Sequence, residues 1–265
     1  MPGAVFAATA PQNLHEKFIQ GCYAGPHGGE PSPMVCIAAP HSCRKPAMTI
    51  PSVPTRGRTL DYAAPVYDLL EPLCLLNKQA EFDQSLLKAL DPQPGDTILD
   101  LGCGTGLFCS LVAQRLDPQQ GGSITGIDAA GKMIAHARAK RGAPHCRFEA
   151  MAAEQLEFAD QSFDAVVSSL FYHHVPLDLK ERSFAEAFRV LKPGGKLIVA
   201  DMDKPTTLLG ALVSHASRWI LMQPQIGENI RGVLPELMIA AGFLPPRTLA
   251  HYFGYISLFA TTKPL

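Results

Sequence analysis

The run ILDLGCGTG, Ile98 to Gly106, sets glycines at 102, 104 and 106 directly behind an apolar stretch that ends in a carboxylate, Asp100. Glycines at alternate positions permit a tight turn and let bare backbone approach a ligand that a Cβ would exclude. Gly106 opens the following helix, whose N-terminal amides favour negative charge. The spacing is GxGxG, not the GxGxxG of dinucleotide binders. Asp100 suits a positively charged amine and would repel a pyrophosphate, so the expected ligand is a nucleoside that carries a cationic amino acid. Asp128, in GIDAA, is placed to accept both hydroxyls of a ribose, with the small Ala129 flat against an adenine ring. An acid at that point also fits the nicotinamide pattern or a helix N-cap.

His173 and His174 follow the apolar run FDAVVSS, Phe163 to Ser169. An imidazole there could take a proton from an incoming substrate, because its pKa lies near neutrality. The alternative is a packing and loop segment. Tyr67, Tyr172 and Trp219 are candidates for lining the substrate pocket, against the ordinary alternative of core packing. No metal is expected. Cys36 and Cys43 stand too far apart for a CxxC knuckle, and the histidine pair has no local third ligand.

Alternating elements must hold these residues. Apolar positions between Tyr67 and Leu90 suit one or two helices covering a sheet. Strands are expected at Thr97–Leu101, Ser123–Ile127, Cys146–Glu149, Phe163–Ser169 and Lys196–Ala200. Helices are expected at Leu107–Leu116, Ala130–Lys140, Glu181–Leu191 and Leu234–Ala241. Two strands, Leu249–Phe253 and Ile256–Thr261, close the chain. KPGG, Lys192 to Gly195, reads as a type II turn with a purely structural role. Strict alternation implies an α/β fold: a doubly wound, Rossmann-like sheet of seven strands, mostly parallel, with the last antiparallel. Ligands in such sheets bind beyond the carboxyl ends of the strands, where the glycine run lies.

The chain has 265 residues, 47% of them hydrophobic, with a formal net charge of −1. That balance gives a nucleic-acid partner no electrostatic support. Residues 1–47 contain seven prolines, five glycines and five charged residues without periodicity. We read them as a disordered or non-native extension, and 48–265 as the domain. Seven scattered cysteines favour a reducing cytoplasm. The apolar stretch Leu208–Met222 carries His215 and Arg218 and is too short to span a bilayer. It could instead close over a hydrophobic acceptor.

Five ordered blocks resemble the class I S-adenosylmethionine-dependent methyltransferases: ILDLGCGTG, GIDAAGKMIAHAR, LEFADQSFDAVVSSLFYHHV, RVLKPGGKLIVAD and LPELMIAAGF. The resemblance implies that Asp100, Gly102 and Gly104, with Cys103 between them, hold the methionine moiety. It puts Asp128 on the ribose and Ala129 with Met133 on the adenine, and adds Ser168 at the fourth strand's end. Many relatives carry an Asp before the third-strand loop's Ala-Glu, but this chain reads Met151-Ala152-Ala153-Glu154. The backbone amide of Ala153 is left to meet the adenine, or Glu154 if the loop shifts. AAPVYDLL, Ala63 to Leu70, is similar to the opening segment of the ubiquinone/menaquinone type. S-adenosylmethionine is therefore the expected cofactor, and a small, hydrophobic, lipid-like or quinone-like molecule the expected acceptor. A silent S-adenosylmethionine-binding module would share the same cofactor residues. A nicotinamide-dependent oxidoreductase is disfavoured by GxGxG, and an arsenite methyltransferase by Ser168 and Ser169 where a cysteine would be needed.

Overall fold

The structure is a computed structural model and describes residues 50–62, 78–220 and 223–265. The extension and Tyr67 lie outside the described residues. A helix, α1 (Gln79–Leu90), precedes β1 (Thr97–Leu101). Then follow α2 (Leu107–Ala113), β2 (Ser123–Asp128), α3 (Gly131–Arg141), β3 (Cys146–Ala150), β4 (Phe163–Ser169), α4 (Leu177–Val190) and β5 (Leu191–Met202). Three helices, α5 (Leu208–Ile220), α6 (Ile226–Ile230) and α7 (Leu234–Ala240), lead to the hairpin β6 (Arg247–Tyr252) and β7 (Ile256–Thr262).

The seven strands lie in the order β3-β2-β1-β4-β5-β7-β6. β1 to β5 are parallel and β7 pairs antiparallel with both β5 and β6. This is the doubly wound sheet that the alternation implies. Ile98 packs into one core with Val112, Ile134 and Phe148, while its neighbour Leu99 packs into another with Val166, Phe184 and Leu197. Successive side chains of a strand point to opposite faces, so a continuous apolar run needs helices on both. The chain winds outward from β1 to β3 and then returns to β4 on β1's other side. That reversal opens a crevice at the carboxyl ends of β1 and β4.

Two element starts differ most from the sequence reading, while other ends shift by smaller amounts, as where α2 stops at Ala113 rather than Leu116 and β6 begins at Arg247 rather than Leu249. α4 begins at Leu177 rather than Glu181, with Pro176 at its N-cap. A proline there fixes φ near the helical value and loses only an amide that the first turn leaves unpaired. KPGG is drawn into β5, which starts at Leu191. Gly194 keeps the positive φ of 74° that a type II turn asks of it, and its N–H donates to the Lys263 carbonyl at 3.0 Å. The insertion appears as a register shift between Phe163 and Ala165 on β4.

Candidate active site

The glycine run leaves β1 as a tight loop, with φ of 75° at Gly102 and 54° at Gly104. Both the Gly102 and Cys103 amides donate to the Ile127 carbonyl at 2.9 Å, which clamps the loop to β2. A Cβ at Gly102 would lie 2.4 Å from the Phe171 ring, so the position is closed to side chains by conformation and by space. Asp128 finishes the clamp. Its Oδ2 accepts from Gly104 N–H at 3.1 Å and its Oδ1 from Ala130 N–H at 2.8 Å. Ala130, not Asp128, is the N-cap of α3.

Three carboxyls converge here. Asp100 is 3% exposed, and the Cys109 thiol donates to its Oδ2 at 3.1 Å. Burial pushes its pKa up to about 7, and the charges of Asp128 and Asp83 push the same way. Burial raises Asp128 to about 6 against the two amides that oppose it. Asp83, on α1, is raised to about 6 by burial, while Gln79 Nε2 donates to its Oδ1 at 2.9 Å. Removing a carboxylate from water without a positive partner favours its protonated form. A cation delivered to this pocket would reverse that. The Cys103 thiol, pushed up to about 11 by burial, is a poor nucleophile at neutral pH.

Residues 50–62 cross the mouth as a strap. Val53 N–H donates to the Ala129 carbonyl at 2.8 Å, Gly131 N–H to Ser52 Oγ at 3.0 Å and Lys132 N–H to Asp61 Oδ1 at 2.9 Å. Thr55 Oγ1 donates to Glu154 Oε1 at 2.5 Å, and Leu60 packs on Ala130 and Met133. The strap, the glycine loop and the ends of β2, β3 and β4 enclose a cleft of roughly 1040 Å³, its open mouth included.

His174 lines that cleft and His173 does not. His174 Nδ1 lies 2.8 Å from Gln223 Oε1, an acceptor, so the proton sits on Nδ1 and Nε2 is the basic nitrogen. Burial, reinforced by neighbouring His173, lowers the His174 pKa to about 3. His173 Nδ1 instead meets the fully buried Asp201 at 2.8 Å. Asp201 also accepts from the backbone amides of Tyr172 and Met202, at 2.5 and 2.7 Å, and so fixes the turn that carries both histidines.

The cleft gathers Asp100, Gly102, Cys103, Gly104, Asp128, Ala129, Met133, Ala153 and His174 from the sequence reading. Four expected residues fall elsewhere, His173 on Asp201 being the first. Tyr172 is fully buried and stacks on Phe184 at 4.4 Å with its hydroxyl against Ser183, so it belongs to the core. Ser168 is buried and its hydroxyl donates to the Leu101 carbonyl, while Ser169 reaches the cleft. Trp219 stands 74% exposed on α5.

A model of the methyltransferase domain matches residues 99–199. An uncharacterised methyltransferase of Synechocystis is 34% identical over 155 residues, covering 57% of this chain and 70% of that protein. The chain belongs to the S-adenosylmethionine-dependent methyltransferases. A demethylmenaquinone methyltransferase of Renibacterium salmoninarum is 32% identical over 146 residues, 55% of this chain and 58% of that one. Across other curated relatives the share of their own length spanned falls to 28%. Among solved structures, Haemonchus contortus phosphoethanolamine N-methyltransferase 2 in complex with S-adenosyl-L-methionine superposes with a TM-score of 0.54. It is 20% identical, covering 70% of this chain and 53% of that one. The family's cofactor is S-adenosylmethionine.

Sequence reasoning missed Asp83 and Gln79 of this methyltransferase. The signal was available: α1 buries Phe82, Asp83, Leu86, Leu87 and Leu90, and a carboxylate inside an apolar helical stripe asks for a reason. The strap gave no such signal, because its contacts run through Ser52, Thr55 and Asp61, single polar residues that form no periodic pattern or motif.

Proposed function

We propose that the protein transfers a methyl group from S-adenosylmethionine to a small hydrophobic acceptor of quinone-like or lipid-like character. The observation that carries this reading is the buried carboxyl of Asp100 beside the bare glycine loop. Its hydrogen bond comes from a thiol, a weak donor, and a cationic amino group answers the deficit. On this reading Asp100, Gly102, Cys103 and Gly104 hold the methionine part, Asp128 the ribose, and Ala129, Met133 and Ala153 the adenine. When bound, S-adenosylmethionine supplies a methyl carbon made electrophilic by its sulfonium. The remaining task of the chain is to hold an acceptor in line and to exclude water.

The hydrophobic acceptor is supported by the apolar side of the cleft, formed by Leu60, Phe108, Leu170, Phe171 and Val175, and by the relationship to a demethylmenaquinone methyltransferase. Among the described residues no helix is long and apolar enough to cross a membrane. The free thiols Cys103, Cys109 and Cys146 support a reducing compartment such as the cytoplasm. The test is an acceptor screen of quinols, phenols and lipids, monitored by mass spectrometry. Gain of one methyl group with formation of S-adenosylhomocysteine supports the reading. Cofactor binding without turnover on any acceptor class favours a silent binding module.

Asp128→Ala is expected to weaken cofactor binding by about 1.5 to 3 kcal/mol, the usual worth of hydrogen bonds to a charged group. It also releases the Gly104 and Ala130 amides, so some thermal stability goes with it. Calorimetric titration showing wild-type affinity in a folded variant would remove Asp128 from the ribose site.

His174 is our candidate for assisting deprotonation through Nε2. Because its pKa is lowered to about 3, the imidazole stays neutral through the working range, and its activity is lost only as pH falls through that value. Low basicity limits its power, so His174→Ala should cost turnover about 10²-fold, the lower end for general-base help, with cofactor affinity intact. The wild-type rate profile should carry no inflection from His174 near 6.5. His173→Ala should chiefly loosen the turn held by Asp201. A His174→Ala loss below about tenfold would leave positioning as the sole effect.

A further inference from the structure

The helix α5 is inverted. An ordinary surface helix buries its large apolar residues, but α5 turns its small ones inward: Gly210, where a Cβ would meet the Gly254 carbonyl at 2.2 Å, and the fully buried Ser214. Its large residues face outward, with Leu208 93% exposed, Leu209 69%, Leu212 67% and Trp219 74%. Leu208, Leu212, His215 and Trp219 recur at helical spacing along one stripe. From Lys204 to Gly227 the sequence contains no Asp or Glu; exposed Lys204 precedes the stripe, and half-buried Arg218, its guanidinium against Gly227 and 5.5 Å from the Trp219 ring, lies at its far end.

We propose that this face of α5 docks on an anionic lipid surface, with the leucines and Trp219 in the interface and the two cations against lipid phosphates. Leucine and tryptophan on one side of a helix with cations at its borders is the arrangement that lies in a bilayer interface. Charge separates this occupant from a second copy of the chain, because a symmetric pairing would set Lys204 and Arg218 of both copies on the same patch without an acid to answer them. The face also connects with the cleft. Gln223 N–H donates to the Arg218 carbonyl at 3.0 Å, and the Gln223 side chain meets His174 at 2.8 Å. A lipid-like acceptor could therefore be drawn from the surface on which α5 rests, a consequence that depends on the acceptor reading above.

Trp219 is the chain's one tryptophan, so its fluorescence reports on this face alone. The full chain is mixed with vesicles of phosphatidylglycerol in phosphatidylcholine, and with phosphatidylcholine alone. The expected result is a blue shift of emission and quenching by brominated acyl chains with the anionic vesicles, weakening as salt rises. Leu208→Gln with Leu212→Gln should lower vesicle partition about tenfold or more, while melting temperature and cofactor affinity hold. Lys204→Glu should reduce the preference for anionic vesicles. Emission unchanged by either vesicle would overturn the proposal, as would a free protein whose Trp219 is already shielded from aqueous quencher by its own chain or a second copy. Vesicle binding is read without cofactor or acceptor, so its failure and a failure of methyl transfer are told apart.

Discussion

Gly102→Val is expected to abolish cofactor binding. At a φ of 75° a residue with a Cβ costs roughly 1–2 kcal/mol, and a β-branched one more. The larger effect is steric: the new Cβ would fall 2.4 Å from the Phe171 ring, and the ring or the loop must yield. Phe171 lines the cleft and precedes the turn that carries His174. Either movement disturbs both the methionine side and the acceptor side. Gly121→Ala separates strain from obstruction, since Gly121 has a φ of 87° but open space where its Cβ would stand. That variant should lose about 1–2 kcal/mol of stability and keep full affinity. Calorimetric titration of both, with circular dichroism to verify folding, decides the point. A folded Gly102→Val variant that binds normally would show that the glycine loop does not meet the ligand.

Asp100→Asn should separate affinity from stability. Affinity should fall by about 1.5–3 kcal/mol, or roughly 10- to 150-fold, because the neutral amide cannot answer a cationic amine. Stability of the free protein should move the other way. The ordinary carboxyl value is 3.8 and the folded value about 7, so the folded state holds a proton that the unfolded chain gives up. Stability therefore falls as pH rises between those values, and above them the penalty is full, roughly 4 kcal/mol at about 1.4 kcal/mol per unit. Asparagine avoids this penalty. Melting temperature should thus rise in the variant near pH 8 and show little gain near pH 4. A variant destabilised at both pH values, with affinity unchanged, would make Asp100 a structural residue.

The sheet was legible because its strands are buried on both faces. β1 and β4 appear at the expected boundaries around the apolar centres Ile98-Leu99 and Ala165-Val166-Val167, and the glycine loop followed from its spacing, whereas Asp128 also fitted a nicotinamide site or a helix N-cap. Side-chain direction was not legible. Tyr172 and His174 are neighbours in one turn, yet one enters the core and the other the cleft. Asp201, distant in sequence, sets that choice by fixing the turn's backbone. Trp219 was placed on the pocket because its helix is apolar, but composition does not say which side of a helix faces inward. Gly210 decides it by allowing close approach to Gly254, with small Ser214 buried one turn further on and bonded to the Gly210 carbonyl. Asp83 was passed over as one charge in a leucine-rich helix.

Whether the acidic cleft is built for a cationic nucleoside is decided by calorimetric titration of the full chain with S-adenosylmethionine and with NADH. Titrations run in buffers of different ionisation enthalpy, across the range from about 6 to about 7 where Asp128 and Asp100 ionise. S-adenosylmethionine should bind with release of protons and with affinity that climbs as pH rises through that range, because the carboxyls must lose their protons to meet the cation. NADH should give no binding heat. Binding of NADH without binding of S-adenosylmethionine would show that the cleft is built for a dinucleotide instead.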